Sequence, residues 1–253
     1  MTQPSLEVVL SPAEFPGLAG RDLRRSVCVV FDILRATTTM VTALANGARE
    51  IIPVAEIAEA LSVRQQRPEV LLAGERDGWR IRADRTGGVD FDLGNSPREF
   101  TPAAVGGRTI VMTTTNGTRA LRACAGAEAV LAASFLNLRA TVQWLRDRNP
   151  ASVILVCGGT HEEPALEDIL AAGAVCERLW PHYAGGHVSD SAEVARRLYP
   201  LMQANLLEAM KSARNGRRLL SIPELRDDVW HCVQRETVSF VAGQGADGAI
   251  TRW

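Results

Sequence analysis

Residues 28–39 have the sequence CVVFDILRATTT, and this stretch decides the fold. Its apolar start belongs to a run from Val27 to Phe31, which is typical of a strand buried on both faces of a sheet. Asp32 follows that strand directly, and from Thr37 onward the apolar residues recur at helical spacing. Because ligands of open α/β sheets bind where a strand ends and a helix begins, the stretch predicts both a strand–helix unit and a binding site.

The strand–loop–helix pattern recurs in two further places, beginning at Thr109 and at Ser152. The unit at Thr109 also carries a threonine triplet, at 113–115, which matches the triplet at 37–39. Repeated units of this kind predict a three-layer α/β/α fold with a largely parallel sheet. The shared triplet indicates a partial internal duplication within one unit, 1–253, whose halves are about 1–105 and 106–253.

Right-handed crossovers between parallel strands place the following turns along one edge of the sheet. Three carboxylates and one amide are therefore expected there, namely Asp32, Glu75, Asn116 and Asp168. Together with Glu167, these carboxylates are hard oxygen ligands without a Cys or His cluster, which suits magnesium or manganese better than zinc. Alternatively, Glu167 and Asp168 simply complement the dipole at the start of a helix.

The segment from Thr113 to Thr118 is the best candidate for a phosphate-binding loop. Threonine hydroxyls donate hydrogen bonds, Gly117 allows the backbone to approach closely, and a helix N-terminus follows. The segment is not a Walker A loop, and its alternative interpretation is a helix cap with an Asn-Gly turn. Arg35 supplies a planar fork that matches phosphate geometry.

Spacing excludes two common phosphatase mechanisms. A cysteine-based phosphatase needs an arginine six residues after its cysteine, but Leu34 and Glu163 stand at that distance from Cys28 and Cys157. The haloacid dehalogenase type needs a second aspartate two residues after the first, and Leu34 stands there after Asp32. Neither mechanism fits this chain.

The composition excludes other classes of function. A net charge of -1 gives no basic surplus for nucleic acid or an anionic membrane, and aromatic residues are only 5%. The sequence shows no signal-peptide pattern and no run long enough to span a bilayer, so we expect a cytoplasmic protein. The five cysteines are scattered without a CxxC pair, as expected for reduced, buried thiols.

Local patterns carry three further predictions. Residues 79–90 are polar and glycine-rich, which predicts a flexible loop. Ser96 and Glu99 have the spacing of a capping box, with Pro97 at the first helical position. Residues 214–216, with the sequence Arg-Asn-Gly, predict a turn.

Five motifs, in this order, resemble those of the 2-phosphosulfolactate phosphatase family. They are FDILRATTT at 31–39, AGER at 73–76, FDLGNSP at 91–97, TTTNGT at 113–118, and LED at 166–168 with AGA at 172–174. The resemblance implies an α/β/α fold of two intertwined similar halves and a homodimer. It also implies magnesium-dependent hydrolysis of 2-phospho-3-sulfolactate to 3-sulfolactate and phosphate, a step of coenzyme M biosynthesis.

The resemblance and the motifs together give three groups of expected site residues. The expected catalytic residues are Asp32, Arg35 and Arg76. The expected ligands of the substrate phosphate are Thr38, Thr39, Asn95, Ser96, Thr114, Thr115, Asn116, Gly117 and Thr118. The expected ligands of Mg²⁺ are Asp32, Glu75, Glu167 and Asp168.

Several alternatives stay open from the sequence. Asp32 either holds the metal or attacks phosphorus directly to form an acyl phosphate. The chain could act on a different small phospho-acid, since Glu162 and Glu163 would repel a substrate that bears both phosphate and sulfonate. It could also be a non-catalytic binding protein or sensor for such an acid. His161 is a candidate general acid, whereas the apolar setting of Cys157 disfavours a thiol enzyme.

Overall fold

The computed structural model describes residues 3–253 and is built around one eleven-stranded sheet. The strands are β1 (Ser5–Val9), β2 (Ser26–Phe31), β3 (Glu50–Pro53), β4 (Leu71–Arg76), β5 (Trp79–Arg80), β6 (Thr109–Thr113), β7 (Ala129–Ala133), β8 (Ser152–Cys157), β9 (His187–Val188), β10 (Ala242–Gln244) and β11 (Ile250–Arg252). Their order across the sheet is β5-β4-β6-β3-β11-β10-β7-β2-β8-β1-β9.

Two parallel blocks make up most of the sheet. Strands β7, β2, β8, β1 and β9 run parallel to one another, and so do β3, β6 and β4. The C-terminal hairpin of β10 and β11 joins the blocks through antiparallel pairing on both sides. The largely parallel sheet is thus confirmed. Each block takes strands from both sides of residue 105, while the division into two similar halves stays a prediction.

Helices cover both faces of the sheet and confirm the three-layer architecture. They are α1 (Phe15–Ala19), α2 (Ala36–Ala45), α3 (Ile57–Gln66), α4 (Ala83–Thr86), α5 (Pro102–Val105), α6 (Gly117–Ala123), α7 (Leu138–Arg148), α8 (Leu166–Tyr183), α9 (Asp190–Met202), α10 (Leu206–Ser212), α11 (Arg214–Ser221) and α12 (Arg226–Cys232). Residues 27, 29 and 31 of β2 share a core with α7 to α12, whereas residues 28 and 30 share one with α1, α2 and α6. The apolar run of β2 is continuous because both of its faces are buried. Within residues 3–253, none of the helices has the length and apolar character needed to cross a bilayer.

The local predictions for residues 79–90 and 214–216 are wrong. Residues 79–90 hold β5 and α4 rather than a flexible loop, because Asp77 and Gly78, with φ angles of 56° and 80°, form a two-residue hairpin turn. Residues 214–216 form the start of α11 and not a turn. Gly216 serves close packing there, since a Cβ on it would lie 2.0 Å from the carbonyl oxygen of Met210.

Candidate active site

A pocket opens where β2, β4, β6 and β8 end. It encloses about 140 Å³, which is below the roughly 300–1,000 Å³ of pockets for drug-sized ligands and so suits a small molecule. Of the four residues expected together at one edge of the sheet, three line the pocket, namely Asp32, Glu75 and Asn116. A further part of its lining comes from α11 and the residues after it: Asn215, Arg218, Leu219, Ile222 and Leu225.

Asp32 lies between two glycines at the end of β2. A Cβ on Gly117 would lie 2.7 Å from Oδ2 of Asp32, and a Cβ on Gly158 would lie 3.0 Å from the Asp32 Cβ. Oδ1 accepts a hydrogen bond from the N–H of Ala36, the first residue of α2, at 3.0 Å. The backbone therefore fixes this carboxylate, and the side chain is only 9% exposed where it lines the pocket.

Burial dominates the electrostatics of the acidic residues around Asp32. It raises the pKa of Asp32 to about 7, although the hydrogen bond from Ala36 lowers that pKa. The negative charges of Glu75 and Glu167 add to the rise. Burial also raises the pKa of Glu167 and, with the charges of Glu167 and Asp32, that of Asp168. Asp32, Glu167 and Asp168 thus resist ionising together unless a cation neutralises them.

Glu167 and Asp168 are held in different ways at the start of α8. Both oxygens of Asp168 accept backbone N–H groups, from Ile33 at 2.8 Å and from Gly159 at 2.9 Å. Oε1 of Glu167 accepts Nδ2 of Asn215 at 2.6 Å, while its buried Oε2 has no hydrogen-bond partner among the described residues. Asp168 therefore ties the loop after β8 to the loop after β2, and Glu167 keeps one oxygen for another group.

Glu75 is bound by the turns on either side of it. Its Oε1 accepts the N–H and the hydroxyl of Thr115 at 2.8 and 2.9 Å, and its Oε2 accepts the N–H of Gly78 at 2.7 Å. The protein's own carboxylate thus occupies donors that the sequence assigned to phosphate. In the chain from 3 to 253, no three Asp, Glu, His or Cys side chains are gathered so that they could hold a metal ion together. The four expected metal ligands therefore do not form one closed cluster.

Arg35 reaches the pocket as one half of a buried ion pair. Its Nη1 lies 2.6 Å from Oδ2 of Asp228, which is 0% exposed, and its Nη2 donates to the carbonyl oxygen of Gly78 at 2.7 Å. The peptide bond between Leu34 and Arg35 is cis. Ser96 donates its hydroxyl to Oδ1 of Asp228 at 2.6 Å. Its side chain accepts no hydrogen bond from the helix start, so the predicted capping box does not form. Sequence reasoning missed Asp228, because no motif surrounds it and it stands 193 residues from Arg35.

The structure does not bring several other expected site residues to the pocket. Four of the threonines expected to bind phosphate use their hydroxyls in hydrogen bonds to backbone groups inside the fold. They are Thr38, Thr39, Thr114 and Thr118. Arg76 donates to the carbonyl oxygen of Ala55 and to the hydroxyl of Thr113, which ties β4 to β6, and it does not line the pocket. The expected phosphate ligands that do line the pocket are Asn95, Thr115 and Asn116.

The loop after β8 contributes His161 to the pocket lining. Asn116 holds this loop, because its Nδ2 donates to the carbonyl oxygens of Gly159 and His161 at 3.1 and 3.4 Å. Cys157, just before the loop, is fully buried, and burial raises the pKa of its thiol well above the ordinary value. It therefore fits the expected core thiol, and all five cysteines are free and buried.

Fold and site together define an α/β enzyme whose acidic pocket, at the carboxyl ends of parallel strands, takes a small molecule. The family model of 2-phosphosulpholactate phosphatase matches residues 15–246. The chain belongs to this family, which is one of phosphoric monoester hydrolases.

Similar proteins cover most of the chain. A probable 2-phosphosulfolactate phosphatase of Symbiobacterium thermophilum is 39% identical over 92% of this chain and 94% of its own length. Another, of Caldanaerobacter subterraneus subsp. tengcongensis, is 42% identical over 79% of this chain and 80% of its own. A third, of Thermotoga petrophila, is 41% identical over 82% and 84%.

Proposed function

We propose that this protein hydrolyses 2-phosphosulfolactate to 3-sulfolactate and phosphate with the help of Mg²⁺. The family match and the names of the relatives support the reaction. The structural observation that carries the proposal is Asp32, a backbone-fixed carboxylate at a strand end that opens onto a pocket of small-molecule size. We also infer, from the family alone, a cytoplasmic homodimer that acts in coenzyme M biosynthesis.

The charge of the pocket supports the need for a cation. The carboxylates and guanidinium groups that line it belong to Asp32, Glu75, Asp77, Arg35 and Arg218. Asp228 already pairs with Arg35, and Arg85 pairs with Asp77, so the carboxylates of Asp32 and Glu75 face the single guanidinium of Arg218. A substrate with phosphate, carboxylate and sulfonate groups would therefore meet a net negative surface. A cation would remove this repulsion, and it would also reduce the repulsion among the buried carboxylates around Asp32.

Two carboxylate oxygens are available to a magnesium ion. Oε2 of Glu167 is unpartnered, and Oδ1 of Asp32 takes the Ala36 N–H, which leaves Oδ2 for another group. We propose that Asp32 and Glu167 hold Mg²⁺, which usually takes one or two protein carboxylates and completes its shell with phosphate and water. When bound, such an ion would polarise the phosphoryl group.

Residues of the chain itself would bind the phosphate group and stabilise the charge of the transition state. Arg35 has five N–H donors, and Asp228 and Gly78 use only part of them, so others are free for a phosphate oxygen. The ion pair with Asp228 holds the guanidinium in place before substrate arrives, which makes it a preorganised donor for the charge of the transition state. Asn116 positions the loop after β8 rather than the phosphate itself.

Phosphate release from 2-phosphosulfolactate tests the proposal, measured with MgCl₂ and after chelation. We expect turnover that needs Mg²⁺ and falls by about 100-fold in Glu167→Gln. Glu177→Gln is the matched control, because that glutamate of the same helix is 45% exposed and pairs with Arg196. Binding of 2-phosphosulfolactate without turnover of any phosphomonoester would favour the binding-protein alternative. Faster turnover of another phospho-acid would identify that acid as the better substrate.

Asp32 is assigned to the metal rather than to attack on phosphorus, because the buried carboxylates of Glu167 and Asp168, whose pKa values are raised, lie near it. Rapid acid quenching with a substrate labelled in the phosphate distinguishes the two roles. Direct attack predicts a labelled phosphoenzyme that is absent in Asp32→Asn. The metal-ligand role predicts no covalent label in either protein, together with weaker Mg²⁺ binding by the variant.

A further inference from the structure

We propose that Arg218 of α11 binds a second anionic group of the substrate, a carboxylate or a sulfonate near the phosphate ester. It would thereby set a preference for phospho-acids over simple phosphate esters. The inference rests on the proposed function, since it concerns the substrate of the same pocket. It gives a binding role to a C-terminal helix that no sequence motif marked.

One tight turn brings Arg218 beside Arg35 at the pocket. The turn consists of Asp77 and Gly78, whose carbonyl oxygens accept hydrogen bonds from the two arginines. Arg218 donates through Nη2 to Asp77, and Arg35 donates through Nη2 to Gly78 at 2.7 Å. Nη2 of Arg218 lies 3.6 Å from the position of a Cβ on Gly78. Both guanidinium groups therefore lie against the same turn, and both arginines line the pocket.

The two guanidinium groups differ in charge balance. Arg35 is paired with the buried carboxylate of Asp228. Arg218 donates to the backbone carbonyl of Asp77 and not to its carboxylate, which is paired with Arg85 at 2.8 Å. Across residues 3–253, no carboxylate forms an ion pair with Arg218. Arg218 thus has no ion-pair partner among these residues at the pocket, and a substrate anion could take that place.

Contacts in the first turn of α11 orient the helix face that carries Arg218. Arg214 forms an ion pair with Glu163. Nδ2 of Asn215 donates to Oε1 of Glu167 at 2.6 Å. Arg218 follows these two residues by four and three positions, so it lies on the same face of the helix. The face that docks next to the proposed metal ligand is therefore the face that carries Arg218 to the pocket.

The chemistry of a guanidinium matches the proposed ligand. Its planar fork donates two parallel N–H bonds to carboxylate or sulfonate oxygens, and such charge-assisted bonds are stronger than neutral ones. A simple phosphate ester has no group for this fork. The contribution of Arg218 should therefore depend on the rest of the substrate and not on the phosphate.

Arg218→Met tests the inference, with Arg217→Met as the matched control. Arg217 is the preceding arginine of the same helix, and it donates to the carbonyl oxygen of Ser212 away from the pocket. We would measure kcat/KM with Mg²⁺ for 2-phosphosulfolactate, 2-phospholactate, 2-sulfoethyl phosphate and ethyl phosphate. The second lacks the sulfonate, the third lacks the carboxylate and the fourth lacks both.

We expect Arg218→Met to lower kcat/KM by about 10- to 100-fold for esters with the recognised anion, mainly through KM. Ethyl phosphate should change by less than about twofold, and Arg218→Lys should lie between, because it keeps the charge without the fork. A selective loss on 2-sulfoethyl phosphate assigns the sulfonate, and a selective loss on 2-phospholactate assigns the carboxylate. Arg217→Met should match the wild type on all four esters.

An equal loss on all four esters, or no loss on any, would overturn the inference while the proposed function stands. If circular dichroism shows that Arg218→Met does not fold, the same comparison is made with Arg218→Lys. No turnover of any ester by the wild-type protein would overturn the proposed function, and this inference with it.

Discussion

Oδ2 of Asp32 lies 2.7 Å from the position that a Cβ on Gly117 would take, and the Cβ of Ala36 lies 2.6 Å from that position. The starts of α2 and α6 therefore meet at Asp32 with no room for a side chain at 117. Because α2 follows β2 and α6 follows β6, this contact joins the two parallel blocks at the pocket. Glycine at 117 is thus a requirement of close packing and not only of a turn.

Gly117→Ala should displace Asp32 and lower kcat by about 100-fold, since a shift of about 1 Å in a catalytic group costs that much. The crowding should also lower the free energy of unfolding by about 1–3 kcal/mol. Gly17→Ala is the matched control, because a Cβ there meets nothing within 4 Å. Steady-state kinetics and urea unfolding of both variants check this, and an unchanged kcat in Gly117→Ala would contradict it.

Asp228→Asn should destabilise the protein far more than its neighbour Asp227→Asn. The first change breaks the buried pair with Arg35 and leaves a buried charge without a partner, which costs about 3–5 kcal/mol. The carboxylate of Asp227 is 57% exposed and lies 3.4 Å from Arg98, so its loss should stay within about 0.5 kcal/mol. Urea denaturation measures both changes, and equal small losses would mean that the buried pair does not stabilise the fold.

Sequence patterns located the strand ends at the pocket, because these strands are buried on both faces and end abruptly. The run predicted at 27–31 corresponds to β2 at Ser26–Phe31, and Asp32 follows as expected. The right-handedness of crossovers between parallel strands then placed Asp32, Glu75 and Asn116 on one edge of the sheet, and all three line the pocket. Local hydrophobicity and chain topology were sufficient for this much of the site.

The direction of side chains could not be predicted, because partners far away in the sequence decide it. Thr38 has the residue type of a phosphate ligand, yet it donates its hydroxyl to the carbonyl oxygen of Ile33. Asp228 and Arg218 come from helices whose docking on the pocket depends on tertiary contacts. The hairpin turn at 77–78 did carry a signal, since Asp-Gly between strands is typical of a two-residue turn.

Asp32→Asn should stabilise the metal-free protein at pH 8 while it abolishes activity. Burial raises the pKa of Asp32 from its ordinary 3.8 to about 7, so between these values the folded state holds more protons than the unfolded state. The stability of the chelated wild type should therefore fall as pH rises through that window. The variant lacks this titration, so its Tm should exceed that of the wild type at pH 8 and approach it near pH 4.

Mg²⁺ should raise the Tm of the wild type most at pH 8 and have little effect on Asp32→Asn. The exposed Asp147→Asn serves as the control and should respond like the wild type. Thermal unfolding at several pH values, with chelator or MgCl₂, provides the measurement. The same pH dependence in wild type and Asp32→Asn would show that Asp32 is not the buried group that titrates.

Asp168→Asn separates a loop-fixing role from a helix-dipole role for an aspartate in the first turn of α8. Both Asp168 oxygens accept backbone N–H groups, whereas asparagine offers one acceptor and would turn its NH₂ toward an N–H of Ile33 or Gly159. Asp190→Asn is the matched control, because Asp190 is exposed in the first turn of α9, where only the dipole term of about 0.3–1 kcal/mol is lost. Urea unfolding should show a further loss of about 1–3 kcal/mol in Asp168→Asn, and kcat/KM should fall because the loop after β8 shifts against Asp32. Equal losses in the two variants, with kcat/KM unchanged, would mean that Asp168 serves only the helix.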